Sequence, residues 1–469
     1  MSDGKFEISV DELVEATAGE LTCRAARSFS GVSIDSRSIG RGELYVAILG
    51  ERHDGHEFVD AAIEAGAAVL LLQRGRTPQG CATTCVEVDD PRVALGQLAR
   101  ALRRRMSARV VGITGSAGKT TTKQLTAAAL AGAVPAADVL ATDGSLNNET
   151  GVPLTLLRLR PNHKFAVVEM GMRGLGQIAY LRGFVEPEVA VIVNAGVAHV
   201  GIVGSADRIA QGKSEIWLAP GAGTHAIYPH ADDRLRELAY ERGIPDERHL
   251  SFGAEAGASV RVLEVVPRGT SGSSVTFDAL GRRLEATIAL PGRHNAANAA
   301  CALAVAHALG VDLAAAARGL AGTRPAVHRS QILDVGGRHV LDDCYNANPA
   351  SMQAAIETIA ELSRGAATAA VVGDMLELGD ESAAAHEEVG RLLGERRIGT
   401  VVAFGQFAPA VARGLAAAGA QAPVITTDPT EAARAVAQAT APGDWILVKG
   451  SRGMRLERVL EALRGELRG

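Results

Sequence analysis

Short apolar runs alternate with helix-like patterns in the first part of the chain. The run GELYVAIL alternates as a strand does, and HEFVDAAIEAGAAVLLL is typical of a helix that continues into a buried strand. The basic run ARALRRRM closes this part and indicates a solvated helix face rather than a nucleic-acid patch. The pattern predicts a small α/β domain over residues 1–107.

From residue 109 the pattern changes to apolar strand, glycine-rich loop and helix. The runs RVVGI, TGSAG and KTTTKQLTAAALAGA follow one another in this order, and FAVVEM and VAVIVN have the pattern of further buried strands. Strands that alternate with helices favour a parallel, doubly wound sheet. We therefore expect a central domain of this kind over residues 108–321.

Two stretches of the central domain depart from that alternation. The runs SVRVLEVV, SSVTFDA and RRLEATIAL are spaced like antiparallel hairpins, which predicts a small β appendage. The alanine-rich run HNAANAACALAVAHALG predicts an amphipathic helix rather than a membrane span, because Asn298 and His307 interrupt it.

A third α/β segment follows the punctuation GLAGTRP. Its predicted strands are HVLDD, AAVVGDM, TVVAFG and DWILVKG, which indicate a second parallel sheet in a Rossmann-like C-terminal domain over residues 322–469. The length of 469 residues fits about three domains of ordinary size. The fold class predicted from the pattern is therefore α/β with three domains.

Composition narrows the possible partners. With 47% hydrophobic and 22% charged residues the chain is typical of globular proteins, and the net charge of −5 gives no basic field for nucleic acid. No window reaches the roughly 18 apolar residues of a membrane span, and the start lacks a signal-peptide pattern, so we expect a cytoplasmic protein.

The five scattered cysteines are expected to be reduced. Cys81 and Cys85 lack a second cysteine pair or a nearby histidine with which to bind a metal.

The stretch GITGSAGKTTTK carries the clearest chemistry. The common phosphate-loop pattern has a glycine where Ile113 stands, but Gly115 and Gly118 still let backbone N–H groups approach a phosphate. Lys119 supplies a full positive charge, and the Thr120 hydroxyl can bind Mg²⁺. The alternative is an ordinary glycine-rich turn that carries a surface lysine.

Two more residues stand at the ends of predicted strands. Glu169 ends FAVVEM, and His199 follows VAVIVNAG. The carboxyl ends of parallel strands meet at one sheet edge, where these side chains and Thr120 are candidate Mg²⁺ ligands. Alternatively, the glutamate caps a helix and the histidine is structural.

Nine separated segments resemble the Mur ligase family and occur in its order. They are GITGSAGKTTTK, SLNNETGVPLTLLRL, VVEMGM, VNAGVAHVGIVGS, AQGKSEI, PGRHNAANAA, DDCYNANPASM, GDMLELGDES and LVKGSR. The N-terminal stretch GVSIDSRSIGRGELYVAILGERHDGHEFVDAAIEAGA resembles the UDP-binding domain of the family. The resemblance spans nearly the whole chain and implies a UDP-binding, an ATP-binding and a C-terminal ligase domain.

The resemblance implies an ATP and magnesium site. The residues that it assigns to ATP are Thr114, Gly115, Ser116, Ala117, Gly118, Lys119, Thr120, Asn298, Arg329 and Asp343. The residues that it assigns to magnesium are Thr120, Glu169, His199 and Lys213, and those that it assigns to catalysis are Lys119, Glu169, His199 and Lys213. At Lys213 many members carry a carbamylated lysine, which would bind a second Mg²⁺; a plain lysine paired with phosphate or Glu215 is the alternative. Before Arg329 the family usually has glycine, whereas this chain has histidine.

The resemblance also implies two small-molecule substrates, a UDP-linked muramoyl peptide and a dipeptide. The residues assigned to them are Ser36, Arg37, Asn147, Asn148, Tyr345, Asn346, Asn348, Lys449 and Arg452. Alternatives remain for the outer residues. Ser36 can cap a turn and Arg37 can pair on the surface, and Lys449 and Arg452 can either hold a carboxylate or neutralise a helix terminus.

Within the family, YNANP, SLNNE and GDMLELG favour an enzyme that joins D-Ala-D-Ala to UDP-N-acetylmuramoyl-tripeptide through an acyl phosphate. Relatives that add the third peptide residue usually carry a DNPR-type stretch, and folylpolyglutamate synthases lack the UDP-binding start. A nucleotide-dependent switch without ligase activity is the alternative from another class. We expect a monomer.

Overall fold

The computed structural model describes residues 6–196, 205–218 and 223–467. By its internal contacts the chain forms two compact units. The first contains the described residues of Met1–Gly112, Ala137–Gly171 and Ala179–Pro187, and the second contains those of Ile113–Ala136, Met172–Ile178 and Glu188–Gly469.

The N-terminal part of the first unit is a five-stranded sheet with a small two-stranded ribbon. Its elements are β1 (Ile8–Ser9), α1 (Val10–Thr17), β2 (Glu20–Cys23), β3 (Ser28–Phe29), β4 (Val32–Ser33), β5 (Leu44–Val46), α2 (Val59–Glu64), β6 (Val69–Gln73), β7 (Thr84–Val88) and α3 (Pro91–Arg105). The strand order is β2-β7-β6-β5-β4, with β4 to β7 parallel and β2 antiparallel at the edge. The strand predicted for GELYVAIL is confirmed as β5. The helix and strand predicted for HEFVDAAIEAGAAVLLL are confirmed as α2 and β6.

The central elements follow the predicted alternation of strand and helix. They are β8 (Arg109–Thr114), α4 (Lys119–Ala131), β9 (Val139–Ala141), α5 (Gly151–Leu156), β10 (Phe165–Glu169), α6 (Gln177–Val185), β11 (Val189–Ile192), α7 (Ala206–Ser214), β12 (His225–Pro229), α8 (Asp233–Glu241), β13 (His249–Gly253), β14 (Val260–Pro267), β15 (Ser273–Ala279), β16 (Arg282–Ile288), α9 (Arg293–Ala308) and α10 (Leu313–Gly319).

Strand β8 is divided between the units after Gly112. The first unit has the strand order β8-β10-β9, and the second has β16-β15-β14-β13-β12-β11-β8. The predicted antiparallel hairpins are confirmed at β14, β15 and β16. Because β14 also pairs in parallel with β13, the β appendage extends the edge of the same sheet.

The C-terminal part of the second unit has its own six-stranded sheet. Its elements are β17 (Gln331–Val335), β18 (Arg338–Asp342), α11 (Pro349–Ser363), β19 (Thr368–Gly373), α12 (Ser382–Glu395), β20 (Thr400–Phe404), α13 (Ala408–Ala417), β21 (Val424–Thr426), α14 (Pro429–Ala439), β22 (Trp445–Lys449) and α15 (Glu457–Glu466). The order is β17-β18-β22-β19-β20-β21, with only β17 antiparallel to its neighbour among these described strands. The last strand thus lies beside β18, so the carboxyl ends of β18 and β22 are neighbours.

The α/β class predicted from the sequence is confirmed. The boundaries 1–107, 108–321 and 322–469 stay predictions. In the part of the chain that is described, no helix has both the length and the apolar character needed to cross a bilayer.

Helix α9 differs from its predicted character. It was expected to be amphipathic, and this is wrong, because eleven of its residues are buried around the whole circumference. It packs against α4 and α10 on one side and against strands β12 to β15 on the other. Its buried amide side chains are satisfied locally: Asn295 donates to the Pro291 carbonyl at 2.7 Å, and Asn298 donates to Asn295 at 3.3 Å. Small alanine side chains allow close packing on every face.

A charge placed on the buried surface of α9 should therefore destabilise the protein. We expect Ala304→Asp to lower the stability of the central region by about 3 kcal/mol or more and its thermal midpoint by about 6 °C or more, because the carboxylate would be buried without a partner. His307→Gln, at an exposed position of the same helix, is the matched control and should leave the midpoint nearly unchanged. Equal midpoints for the two variants in thermal unfolding would contradict the buried placement.

Candidate active site

The predicted phosphate loop connects β8 to α4 in the second unit. Gly118 stands at the N-terminal cap of α4 with a φ of +77°, a conformation that side-chain-bearing residues rarely adopt. A Cβ atom there would lie 3.2 Å from Val193 Cγ1 and 3.3 Å from Asn298 Oδ1. Glycine has no side chain to cap the helix, so the first amides of this 13-residue helix can bind an anion.

The carboxamide of Asn194 holds the loop from the end of β11. Its Oδ1 accepts the backbone N–H groups of Ser116 at 3.0 Å and Ala117 at 2.9 Å, and its Nδ2 donates to the Ala117 carbonyl at 3.0 Å. The Asn194 carbonyl also accepts the Ser116 N–H at 3.1 Å. Sequence reasoning missed this residue, although it is the polar residue that directly follows the apolar run VAVIV.

Lys119, Thr120 and Lys213 all belong to the second unit. Lys119 Nζ donates to the Gly115 carbonyl at 2.7 Å, and the Thr120 side chain is buried at the start of α4. Lys213 is buried in the last turn of α7. Burial first, and the positive charge of Lys119 second, lower the pKa of Lys213 well below its usual value.

Glu169 and Asn147 lie together in the first unit. Asn147 Nδ2 donates to Glu169 Oε1 at 2.8 Å, and the Glu169 backbone N–H donates to Thr142 Oγ1 at 3.0 Å. The carboxylate of Glu169 is buried at the end of β10. Asn148 Oδ1 accepts the Gly151 N–H at 2.8 Å, so this side chain starts helix α5. The structure thus joins the predicted metal ligand to one of the two predicted substrate asparagines.

Ser36 and Arg37, which were predicted to contact a substrate, lie in one turn of the first unit. Arg37 is exposed and forms a two-pronged pair with Asp35, at 2.9 and 2.7 Å. This pair lowers the pKa of Asp35 to about 2. Ser36 lies in the same turn, so the surface-pair alternative for Arg37 describes the observed contact. The predicted metal ligand His199 lies outside the described residues.

Several predicted residues of the C-terminal domain meet at the adjoining ends of β18 and β22. Lys449 is almost fully buried, and its Nζ contacts Asp343 Oδ2 at 2.5 Å and the Asn346 carbonyl at 3.1 Å. The sequence analysis did not anticipate this ion pair. Asn348 caps α11 through a hydrogen bond from the Ser351 N–H at 2.9 Å, and Pro349 begins this helix.

Two arginine side chains of the same cluster lie over the ring of Tyr345. The guanidinium carbon of Arg329 lies 3.9 Å from the centroid of the Tyr345 ring, and that of Arg452 lies 5.9 Å from it. Arg452 is largely exposed and also pairs with Glu457 at 3.3 Å. The structure therefore brings Arg329 and Arg452, which are more than 100 positions apart in the sequence, to the same Tyr345 ring.

The backbone on both sides of Arg329 is left-handed. His328 has a φ of +62° and Ser330 a φ of +47°. Such a conformation costs a non-glycine residue roughly 1–2 kcal/mol, so neighbouring contacts must stabilise it. His328 Nδ1 lies 2.7 Å from the buried Asp342 Oδ2, and the His328 carbonyl accepts the Tyr345 N–H at 3.0 Å.

The same corner contains a group of possible metal ligands. One ligand atom each from His328, Asp342 and Cys344 lies within 4.8 Å of the other two. Burial raises the pKa of the Cys344 thiol, and the neighbouring Asp342 carboxylate adds to this. A thiol held in its protonated form is a poor metal ligand near pH 7.

Family models match three successive parts of the chain. "Mur ligase family, catalytic domain" matches residues 28–109, "Mur ligase middle domain" matches residues 113–306, and "Mur ligase, glutamate ligase domain" matches residues 328–452. Together they include the phosphate loop, helix α9 and the cluster around Tyr345.

Curated proteins are similar over nearly the whole length. The UDP-N-acetylmuramoyl-tripeptide–D-alanyl-D-alanine ligase of Bacillus subtilis is 35% identical, with 92% of this chain and 93% of that protein covered. The ligase of the same name from Escherichia coli is 34% identical, with 98% of each covered.

Solved structures agree with these matches. MurF from Acinetobacter baumannii superimposes with a TM-score of 0.86 at 32% identity and covers 98% of this chain and 99% of that one. MurF ligase from Thermotoga maritima in complex with ADP has a TM-score of 0.81 at 30% identity, with 93% and 98% covered. On the strength of these full-length matches, the chain belongs to the Mur ligase family.

Proposed function

We propose that this chain is an ATP-dependent ligase that joins D-Ala-D-Ala to UDP-N-acetylmuramoyl-tripeptide and so completes the pentapeptide precursor of peptidoglycan. One observation carries the proposal. Ligases named for this reaction match the chain over 92–98% of its length, and the matched length includes a glycine-capped phosphate loop with Lys119. The loop geometry supports phosphoryl transfer rather than simple amide hydrolysis.

The reaction needs activation because a carboxylate oxygen is a poor leaving group. A terminal carboxylate oxygen of the tripeptide attacks the γ-phosphorus of ATP, and the bond from that phosphorus to ADP breaks. The amine nitrogen of the dipeptide then attacks the acyl carbon of the resulting acyl phosphate. Inorganic phosphate leaves with the electrons of the C–O bond, the amine loses a proton to solvent, and an amide remains.

The second unit supplies the groups for this transfer. The first amides of α4 would bind the phosphates, and Lys119 would exchange its Gly115 carbonyl contact for a phosphate oxygen. The hydrogen bonds from Asn194 keep the loop in shape before the nucleotide binds, which lowers the entropy lost on binding. Asn298, Arg329 and Asp343 are the proposed contacts to the rest of the nucleotide.

The donor chemistry of the predicted metal ligands fits Mg²⁺. Thr120 offers a hydroxyl and Glu169 a buried carboxylate, both of which are hard oxygen donors, and His199 completes the proposed set. Bound Mg²⁺ supplies positive charge that offsets the negative charge of the transferring phosphoryl group. Asn147, by donating to Glu169 Oε1, fixes the orientation of this carboxylate.

Lys213 is proposed to carry a carbamate and to bind a second Mg²⁺. A neutral amine nitrogen can attack the carbon of CO₂, forming a C–N bond and releasing a proton, whereas an ammonium cannot. Burial and the charge of Lys119 lower the pKa of Lys213, which favours the neutral amine. The carbamate would turn this amine into an anionic oxygen ligand.

The remaining assignments complete the proposal. Ser36 and Arg37 contact the uridine diphosphate, and Asn147 and Asn148 face the muramoyl peptide. The residues proposed near the incoming dipeptide are Tyr345, Asn346, Asn348, Lys449 and Arg452. Domains 1–107, 108–321 and 322–469 each hold one substrate, and the protein acts as a monomer in the cytoplasm.

The choice of amine tests the function directly. With ATP and UDP-N-acetylmuramoyl-tripeptide, we expect phosphate release to depend on D-Ala-D-Ala and not on glutamate or diaminopimelate, with a product mass that equals the sum of the two substrates less one water. A preference for diaminopimelate would reassign the chain to another ligation step. Phosphate release that ignores all three amines would favour a nucleotide switch.

Lys119 is the residue whose loss should matter most for chemistry. We expect Lys119→Ala to lower kcat for ligation by at least about 100-fold, because the γ-phosphoryl oxygens lose a direct positive partner in the transition state. Lys164→Ala removes an exposed lysine that pairs with Asp138 at 3.7 Å and serves as the control. Near-normal turnover of the Lys119 variant would contradict the assignment of the loop.

Carbamylation of Lys213 has a spectroscopic test. With ¹³C-labelled bicarbonate we expect a carbamate carbon signal that Lys213→Arg abolishes and Lys164→Arg retains. Because the pKa of Lys213 is lowered, the signal should persist near pH 7 and fade only as acid protonates the amine. A wild-type spectrum without this signal, from enzyme that ligates normally, would refute the carbamate.

A further inference from the structure

His328 directly precedes Arg329 in the chain. We propose that His328 is a positioning residue for the nucleotide, which acts by holding Arg329 flat against the Tyr345 ring through its own anchor on Asp342. This inference rests on the proposed function, since it takes Arg329 to be a nucleotide contact.

The anchor is rigid because Asp342 ends a central strand. Asp342 is buried at the last position of β18, which pairs in parallel with β22 at this residue. Its Oδ2 lies 2.7 Å from His328 Nδ1, and its Oδ1 accepts the Cys344 N–H at 3.3 Å. The imidazole is therefore tied to the sheet and not to a loop.

Backbone hydrogen bonds restrain the chain on both sides of Arg329. The His328 carbonyl accepts the Tyr345 N–H at 3.0 Å, and the Ser330 N–H donates to Asp343 Oδ1 at 2.9 Å. Both flanking residues are left-handed, at φ values of +62° and +47°. Arg329 is thus fastened before and after to the segment that carries Tyr345, which explains the 3.9 Å approach of its guanidinium to the ring.

The side chain contributes something that glycine would not. Glycine adopts positive φ without strain but also populates many other conformations, so it leaves the arginine less restricted. Histidine and asparagine are among the residues that tolerate the left-handed region, and both offer a donor to a carboxylate. Alanine tolerates this region less well and offers no donor. Substitution of His328 by glycine, asparagine or alanine therefore separates the effect of backbone strain from the effect of the hydrogen bond.

A metal held by His328, Asp342 and Cys344 is the competing account of the same side chains. The hydrogen bonds in place favour the positioning role, because His328 Nδ1 and both Asp342 oxygens already have partners. The two accounts differ in their dependence on the Cys344 thiol and on added zinc.

The test compares nucleotide affinity and turnover in the full-length protein. We expect His328→Ala and His328→Gly to raise the Kd and KM for ATP about tenfold, equal to about 1.4 kcal/mol, while kcat changes less than about twofold. His328→Asn should remain within about threefold of the wild type. His307→Ala, at an exposed position of α9, is the control, and the KM for the muramoyl peptide should not change.

A double-mutant cycle shows whether His328 acts through Arg329. In the Arg329→Ala background, His328→Ala should add little to the Kd for ATP, since the group that it positions is gone. Additive losses in the cycle, or a lower thermal midpoint with an unchanged Kd, would overturn the positioning role. Stoichiometric zinc in the purified protein that is lost in Cys344→Ser would overturn it in favour of a metal.

The failure of this inference can be told apart from failure of the proposed function. The Kd for ATP is measured by titration without the other substrates. A wild-type protein that releases no phosphate with D-Ala-D-Ala but binds ATP would reject the ligase assignment alone. A protein that ligates normally and whose Kd for ATP is indifferent to His328 would reject only the inference.

Discussion

The turn at Gly118 is the constraint on which the rest of the nucleotide site depends. The chain must pass from β8 into α4 without a side chain at the helix N-terminal cap, and the turn is closed in by Val193 on one side and Asn298 on the other. Asn298 can approach this closely only because its helix presents small side chains. The alanine-rich sequence of α9 and the glycine of the loop are therefore two parts of one packing solution.

Close helix packing continues along α4 away from the loop. A Cβ atom at Gly132 would lie 2.2 Å from the Ala315 carbonyl oxygen, and one at Gly319 would lie 2.3 Å from the Ala128 carbonyl oxygen. Helices α4 and α10 thus approach through glycine at two contacts. Because α4 is fixed along its length, the orientation of its N-terminus is set by the core and not by the ligand, which is the preorganisation that electrostatic catalysis requires.

The sequence predicted most of the strands and helices and part of the candidate site. Apolar runs bounded by glycine are local signals, so the strands and the phosphate loop were readable. The burial of α9 was not, because alanine at half of its positions leaves no polar stripe to show which faces are covered. The contact of Asn194 with the loop and the pair of Asp343 with Lys449 depend on which strands become neighbours. The left-handed conformation of His328 depends on its anchor, which no periodicity reveals.

Three lysines of the second unit lie in places where an uncompensated charge would be costly, and each is accommodated differently. Lys119 donates to a loop carbonyl, burial lowers the pKa of Lys213, and Lys449 is paired with Asp343. The last solution links folding to function, because Asp343 and Lys449 are 106 positions apart. They meet only when the final strand, β22, has inserted between β18 and β19. The Asp343–Lys449 pair beside Tyr345 is therefore complete only when β22 lies next to β18, so a C-terminal domain without β22 in place would lack this support for the nucleotide contacts proposed for it.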